Sequence, residues 1–185
     1  MRVITGKYKG RRLKAIEGRD VRPTSEKVKE ALFSIIAAQT PDSVFCDLFA
    51  GTGALGIEAL SRGADKCYFF DSSKRSIMCI RENAEHCGAG DEAIIKLSDF
   101  RKALSSISEK IDVFILDPPY NEDFYEQAIR MIVELDLLSD DGIIIAECDV
   151  SRIDEIEICA AGYFSIYEKE YGRTCIALLE PVELL

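Results

Sequence analysis

From Pro41 onward the sequence alternates between short continuous apolar runs and stretches of helical periodicity, and few folds accept that alternation. The apolar runs fall at residues 44–48, 67–70, 93–97, 111–116 and 142–146. Helical patterns cover 54–62, closed by Gly63, then 73–86 and 123–135, with a short one near 151–157. A strand that is apolar along nearly its whole length is buried on both faces, so helices must cover both sides of a mainly parallel sheet. The last two runs, 163–168 and 174–179, are joined at Gly172 with no room for a helix between them, so they pair antiparallel. The expected fold is α/β: a doubly wound, Rossmann-like, mainly parallel seven-stranded sheet with an antiparallel C-terminal strand.

Ahead of that pattern, residues 2–6 and 11–15 read as extended segments around a turn at 7–10, a β-hairpin. Pro23 excludes a helical Arg22 and precedes a helix that Thr24 or Ser25 can cap and Glu26 favours in its first turn. Val28, Ala31, Leu32, Ile35 and Ile36 give this helix one apolar face. The chain divides into an N-terminal hairpin and helix, 1–40, and a ligand-binding domain, 41–185.

Charge is distributed unevenly between these parts. Residues 1–30 hold ten basic and four acidic side chains; the remainder holds thirteen and twenty-nine, for a net charge of −10 overall. A basic arm on an acidic body points to a polyanion partner, although a solvated hairpin would carry the same composition. No apolar run reaches the ~20 residues of a membrane span, and the basic N-terminus lacks the apolar stretch of a secretory signal, so a cytoplasmic location and no membrane partner are expected. The seven cysteines have no CxxC spacing and read as small buried residues in a reducing compartment, with no metal. His86, late in a helical stretch, reads as structural or solvent-facing.

Two motifs carry chemistry. The first apolar run leads into Asp47-Leu48-Phe49-Ala50-Gly51-Thr52-Gly53-Ala54-Leu55-Gly56, a GxGxxG turn between strand and helix. Asp71 ends the next run, where a carboxylate can accept both hydroxyl hydrogens of a ribose. A pyrophosphate would be repelled by Asp47, four residues ahead of the first glycine, whereas the cationic S-adenosyl-L-methionine suits it. The second motif is Asp117-Pro118-Pro119-Tyr120 at the end of the fourth run. A nucleobase amine is a poor nucleophile because its lone pair is delocalised into the ring. The Asp117 carboxylate and a main-chain carbonyl, that of Pro118, can accept its two N–H hydrogens and turn the lone pair outward. The prolines fix the acceptors in place, and Tyr120 can stack on an unstacked base.

The order Asp-x-Phe-x-Gly-x-Gly, strand-terminal acid, Asp-Pro-Pro-Tyr resembles the class I amino-methyltransferases. The N-terminal run from Arg2 to Leu13, then Arg22-Pro23-Thr24 and residues 28–33, resembles the RsmD family more narrowly, as do 47–62, Asp117 to Tyr120 and Tyr171-Gly172. Those are bacterial enzymes that methylate guanine N2 in 16S ribosomal RNA. The resemblance implies cofactor contacts at Asp47, Phe49, Gly51, Gly53, Asp71 and Ser72, with Asp99 and Phe100 meeting the adenine. It implies catalysis at Asp117, Pro118, Pro119 and Tyr120. It implies a monomer whose RNA contacts lie on Lys7, Lys9, Arg11, Arg12 and Arg22, with 16S rRNA in a partly assembled small subunit as partner. An adenine-N6 or other nucleobase amino-methyltransferase acting on RNA or DNA is the alternative. Replacing Arg11 and Arg12 together by Glu should abolish methyl incorporation from labelled cofactor into small-subunit particles, without altering cofactor affinity. Equal incorporation by both proteins, at two salt concentrations, would reduce the arm to a solvated hairpin.

Overall fold

The computed structural model describes residues 1–16, 26–119 and 124–182. Its helices are α1 (Glu26–Ile35), α2 (Ala54–Ser61), α3 (Lys74–Cys87), α4 (Phe100–Ser106), α5 (Phe124–Glu134) and α6 (Ile153–Ala160). Its strands are β1 (Val44–Asp47), β2 (Lys66–Asp71), β3 (Ala93–Leu97), β4 (Ile111–Leu116), β5 (Leu138–Asp149), β6 (Phe164–Tyr171) and β7 (Thr174–Pro181). They form one sheet in the order β3-β2-β1-β4-β5-β7-β6. The first five of these strands run parallel, and β7 is antiparallel to both of its neighbours. The chain winds outward from β1 to β3, then returns to lay β4 on the other side of β1. That switch point is where open α/β sheets bind ligands, beyond the carboxyl ends of the strands.

Each face of the sheet has its own core. Phe45, Val113, Ile115, Ile143 and Ile145 meet α1, α2 and α3, together with Val3, Tyr8 and Leu13 of the N-terminal segment. Cys46, Leu48, Phe114, Leu116, Ile144 and Ala146 meet α4, α5 and α6. Gly56 lets α2 lie close on β2, since a Cβ there would come within 2.3 Å of the Phe69 ring and 2.6 Å of Cys67 Sγ. All seven cysteines are free; six are buried, and burial pushes the Cys46 and Cys67 thiols well up.

The structure departs from the expected elements in four places. The N-terminal hairpin forms but is shorter than expected: beside the antiparallel Arg2–Arg12 bridge, Val3 N–H donates to Arg11 O, Gly10 N–H to Val3 O and Leu13 N–H to Met1 O, each at 2.9 Å, and its turn docks on α2. Lys7 N–H donates to Ser61 O at 2.8 Å and Tyr8 N–H to Ser61 Oγ at 3.0 Å. The approach is so close that a Cβ on Gly6 would sit 1.6 Å from Ser61 O. The second departure is α4, seven residues without a visible apolar period, started by the Asp99 side chain accepting from Arg101 N–H at 3.0 Å. The third is the length of β5, which runs beyond 142–146 at both ends, paired along β7 at its C-terminal end. The fourth is the buried face of α1, which includes Lys29. The expected cap residues Thr24 and Ser25 lie outside the described residues.

Lys29 is buried because Glu58 of α2 is buried opposite it. Their charged atoms are 2.9 Å apart and both side chains are fully enclosed. Glu58 also accepts from the amides of Ile4 (2.9 Å) and Thr5 (3.0 Å) and pairs with Arg62 (2.8 Å). Burial alone would raise the Glu58 carboxyl, but the Ile4 amide, Lys29 and Arg62 outweigh it and hold it below its ordinary value. The stability this contributes is complete above the unfolded carboxylate pKa and is lost as acid titrates the folded one. Lys29→Met leaves Glu58 buried without its main partner, and urea denaturation should show a loss of about 3–5 kcal/mol. Arg2→Ala, which removes only the exposed pair with Glu26, should stay within about 1 kcal/mol of wild type. Equal losses in the two variants would contradict this account of the interface.

Candidate functional site

Three carboxylates gather at the carboxyl ends of the central strands. Asp47 ends β1 and is in register with Ile115 of β4; Leu116 is in register with Ala146 of β5. Continuing that register by one residue sets Glu147 beside Asp117. Alternation along strands puts Asp47, Asp117 and Glu147 on the sheet face that Ile115 and Ile145 occupy. Asp47 is 2% exposed and Glu147 9%, while Asp117 is half-buried. Burial drives the Asp47 carboxyl up to about 7, the Phe49 amide opposes it, and the charges of Asp71 and Glu147 add to the rise. Burial also lifts Asp117 well above the usual carboxylate range, with Glu147 and Asp47 contributing. No salt bridge reaches Asp47 or Asp117 among the described residues. Two desolvated acids that no salt bridge reaches among the described residues, Asp47 and Asp117, are suited to receive a cation from a ligand.

The glycine turn lies against this cluster. Gly51 and Gly53 have φ of 54° and 77°, a backbone region that glycine enters without strain. A Cβ on Gly51 would meet nothing nearer than Phe49 O at 3.9 Å, so its outer side is open. Asp71 fixes the turn: one carboxylate oxygen accepts from Gly51 N–H at 3.0 Å, the other from Ser73 N–H at 2.7 Å. Each oxygen keeps a second lone-pair direction for a ligand hydroxyl. Behind the turn, the buried Asn83 of α3 donates to Thr52 O at 2.9 Å. Ser72, next to Asp71, is exposed.

Phe49 forms the wall between the turn and β4. Its ring stacks on Phe124 at 5.9 Å and tilts against Phe100 at 5.3 Å. The Phe100 ring is 3% exposed, and the Arg101 guanidinium lies over it at 4.4 Å. Asp99 is occupied by capping α4 and by pairing with Arg101 at 3.2 Å. Pro118 is buried at the strand end and Pro119 is exposed. Tyr120 and Arg22 lie outside the described residues.

Asp47, Phe49, Gly51, Gly53, Asp71, Phe100, Asp117 and Pro118 thus share one end of the sheet. The basic side chains of the arm are held elsewhere, along α3 and the start of β3. Lys7 pairs with Glu92 at 2.5 Å, and Tyr8 O–H also donates to Glu92. Arg11 donates to the His86 carbonyl, and Lys14 pairs with Glu82 at 2.7 Å. Lys9 and Arg12 are exposed and form no salt bridge among the described residues.

Sequence reasoning passed over Glu147 and Asn83. Glu147 carries the same signal as Asp47, Asp71 and Asp117, an acid closing an apolar strand, and was within reach of that rule. Asn83, in mid-helix, carries none. Among the described residues no group of three or more His, Cys, Asp or Glu side chains could hold a metal, and no helix is long and apolar enough to cross a membrane.

The family model described as conserved hypothetical protein 95 matches residues 1–180 of the chain. "Putative rRNA methyltransferase YlbH" of Bacillus subtilis is 37% identical over 181 residues, covering 96% of this chain and 97% of that protein. "Ribosomal RNA small subunit methyltransferase D" of Haemophilus influenzae is 34% identical over 156 residues, 82% of this chain and 80% of its own. Among solved structures, "Putative methyltransferase yhhF" of Escherichia coli superposes with a TM-score of 0.84 at 26% identity, covering 98% of this chain and 97% of that one.

Proposed function

The chain belongs to the conserved hypothetical protein 95 family, and on that footing we propose that it is an rRNA methyltransferase. In this reading it moves a methyl group from S-adenosyl-L-methionine to the exocyclic N2 of a guanine in 16S rRNA, acting as a monomer in the cytoplasm on a partly assembled small subunit. The observation that carries the reading is the placement of Asp47 and Asp117 at the ends of the adjacent strands β1 and β4, a buried and a half-buried carboxylate that no salt bridge reaches among the described residues. When bound, the cofactor supplies an electrophilic methyl on a cationic sulfur, together with an ammonium group that a buried carboxylate neutralises.

The residues present fit that group. Asp47 is placed for the charged methionine end, and the open side of Gly51 leaves room for it. Asp71 offers its remaining lone pairs to ribose hydroxyls, and Ser72 stands beside it. Phe49 supplies an aromatic wall. Asp99 and Phe100 stay in this reading as the adenine edge, Asp99 through whatever accepting capacity Arg101 leaves. The target amine donates one hydrogen to Asp117 and the other to the Pro118 carbonyl, which frees its lone pair for attack. Pro119 stiffens that turn, and Tyr120 is assigned to stack on the base. As the nitrogen gains its new bond to carbon it must shed a proton. Asp117, whose surroundings favour the protonated carboxyl, is the acceptor. Residues 1–40 form the RNA-contacting extension through Lys7, Lys9, Arg11, Arg12 and Arg22, and 41–185 the catalytic domain.

Two measurements test this reading. Asp117→Ala should bind S-adenosylmethionine within about twofold of wild type, yet lose on the order of a hundredfold or more in single-turnover rate. A near-native rate would remove Asp117 from the chemistry. The second concerns pH. The folded state holds a proton on Asp47 up to about pH 7, so ligand-free stability falls as pH rises from the unfolded carboxylate value toward 7. A cationic ligand favours the ionised form and expels that proton. Calorimetric affinity for S-adenosylmethionine should therefore rise from pH 5.5 to about pH 7 and level off above it, with proton release below 7. Asp47→Asn should bind more weakly and lose that share of the pH dependence; an unchanged profile would mean that Asp47 does not face the cation.

A further inference from the structure

A cavity of about 550 Å³ lies between the N-terminal arm and the second half of α3, away from the acidic strand ends. Arg12 and Lys14 line it from the arm; Glu82, Asn83, Glu85 and His86 line it from α3. Its size falls within the about 300–1,000 Å³ typical of small-ligand sites. One wall is cationic, and the other carries two carboxylates, an amide and an imidazole. Arg12 forms no salt bridge among the described residues, and Lys14 is held only by an exposed pair with Glu82 that a phosphate can displace. Across from them, the Glu85 carboxylate can accept from the amino edge of a base, and the exposed His86 ring can stack on its face. Phosphate on one side and a base edge on the other are the two recognition chemistries of a nucleotide.

The cavity is also wired to the cofactor turn. Asn83, 1% exposed, accepts from Lys14 N–H at 2.7 Å and donates to Lys14 O at 3.2 Å and to Thr52 O at 2.9 Å. One amide group thus fixes the arm and the Gly51-Thr52-Gly53 turn in a single arrangement, and Asp71 holds the same turn from the other side. A ligand that settles the arm settles the turn. By linkage, a ligand on the turn must then favour the arm geometry to the same extent.

We propose that this cavity is a subsite for one nucleotide of the RNA substrate flanking the target base, and that Asn83 is the positioning residue that ties its occupancy to the cofactor turn. The inference rests on the rRNA methyltransferase reading. The test uses small ribosomal subunit particles lacking the methyl mark, with S-adenosylhomocysteine as the cofactor probe. Wild type should bind the particles about fivefold or more tightly when the probe is saturating. Glu85→Ala with His86→Ala, both exposed, should weaken particle binding about tenfold and leave probe affinity within twofold. Asn83→Ala should bring the coupling factor near one. Lys14→Ala should weaken particle binding but keep the coupling, because the bonds to Asn83 come from the Lys14 backbone, and a purely structural Asn83 would not produce that split. Native particle affinity in the Glu85/His86 variant overturns the subsite, and undiminished coupling in Asn83→Ala overturns the link. Should Asn83→Ala fail to fold, the absence of coupling in wild type would still overturn the link. If wild type transfers no methyl to any particle or RNA, the enzymatic reading fails instead, which methyl incorporation reports separately.

Discussion

The ion pair between Lys29 and Glu58 holds the rest of the arrangement in place. Glu58 sits on the helix that the glycine turn starts, and its carboxylate gathers the amides of Ile4 and Thr5, the ammonium of Lys29 and the guanidinium of Arg62. Lys29 passes the connection on by donating to Arg2 O at 2.8 Å. Arm, α1 and α2 are thereby fixed to one another around a single fully buried acid. Such a pair is costly to desolvate, and it persists because every lone pair that faces inward has a donor. A hydrophobic pair of the same volume could fill the space, but it would not bind two arm amides and so would not set the direction of the arm.

The acids at the strand ends follow the opposite logic. Glu58 is buried with its cations; the buried Asp47 and the half-buried Asp117 lie beside other acids. Mutual repulsion and lost hydration are a standing cost to the ligand-free fold, and the apolar strands beneath them, with Phe45, Phe69, Phe114 and Ile115 fully enclosed, carry it. In the proposed reading, that cost becomes affinity once a cation and a proton-shedding amine enter. Glu58 and the strand-end acids thus differ in whether the described residues supply the counter-charge.

The charge asymmetry of the sequence takes a different form in three dimensions. Lys7 and Lys14 fold back onto Glu92 and Glu82, and Arg11 onto a helix carbonyl, so much of the arm's charge is spent on the body. Among the described residues of the arm, Lys9 and Arg12 form no salt bridge and stay outward, with Lys14 available by exchange. Under the proposed function, RNA contact on this face would be local, shaped by the groove along α3 rather than spread over a basic surface, which is compatible with a net charge of −10.

The sequence alone determined the sheet, because a run such as 113–116 is apolar at four successive positions and can be satisfied only by burial on both faces. It determined the acids that close such runs, Asp47, Asp71 and Asp117, because a strand end and its first polar residue are adjacent in the chain. The same rule reaches Glu147. Tertiary structure alone decided the partners. Nothing in the local pattern marks Lys29 and Glu58 as partners until packing encloses both, and nothing near Asn83 announces the carbonyls of Thr52 and Lys14. The hairpin's turn docks on α2 because Ser61 offers its backbone and hydroxyl to residues 5–8, and α4 formed because Asp99 caps it where packing on Phe49 and Phe124 covers Phe100. Periodicity is a local property that sequence displays directly. A hydrogen bond between residues thirty or seventy positions apart exists only once the fold has removed the water that would otherwise satisfy both groups.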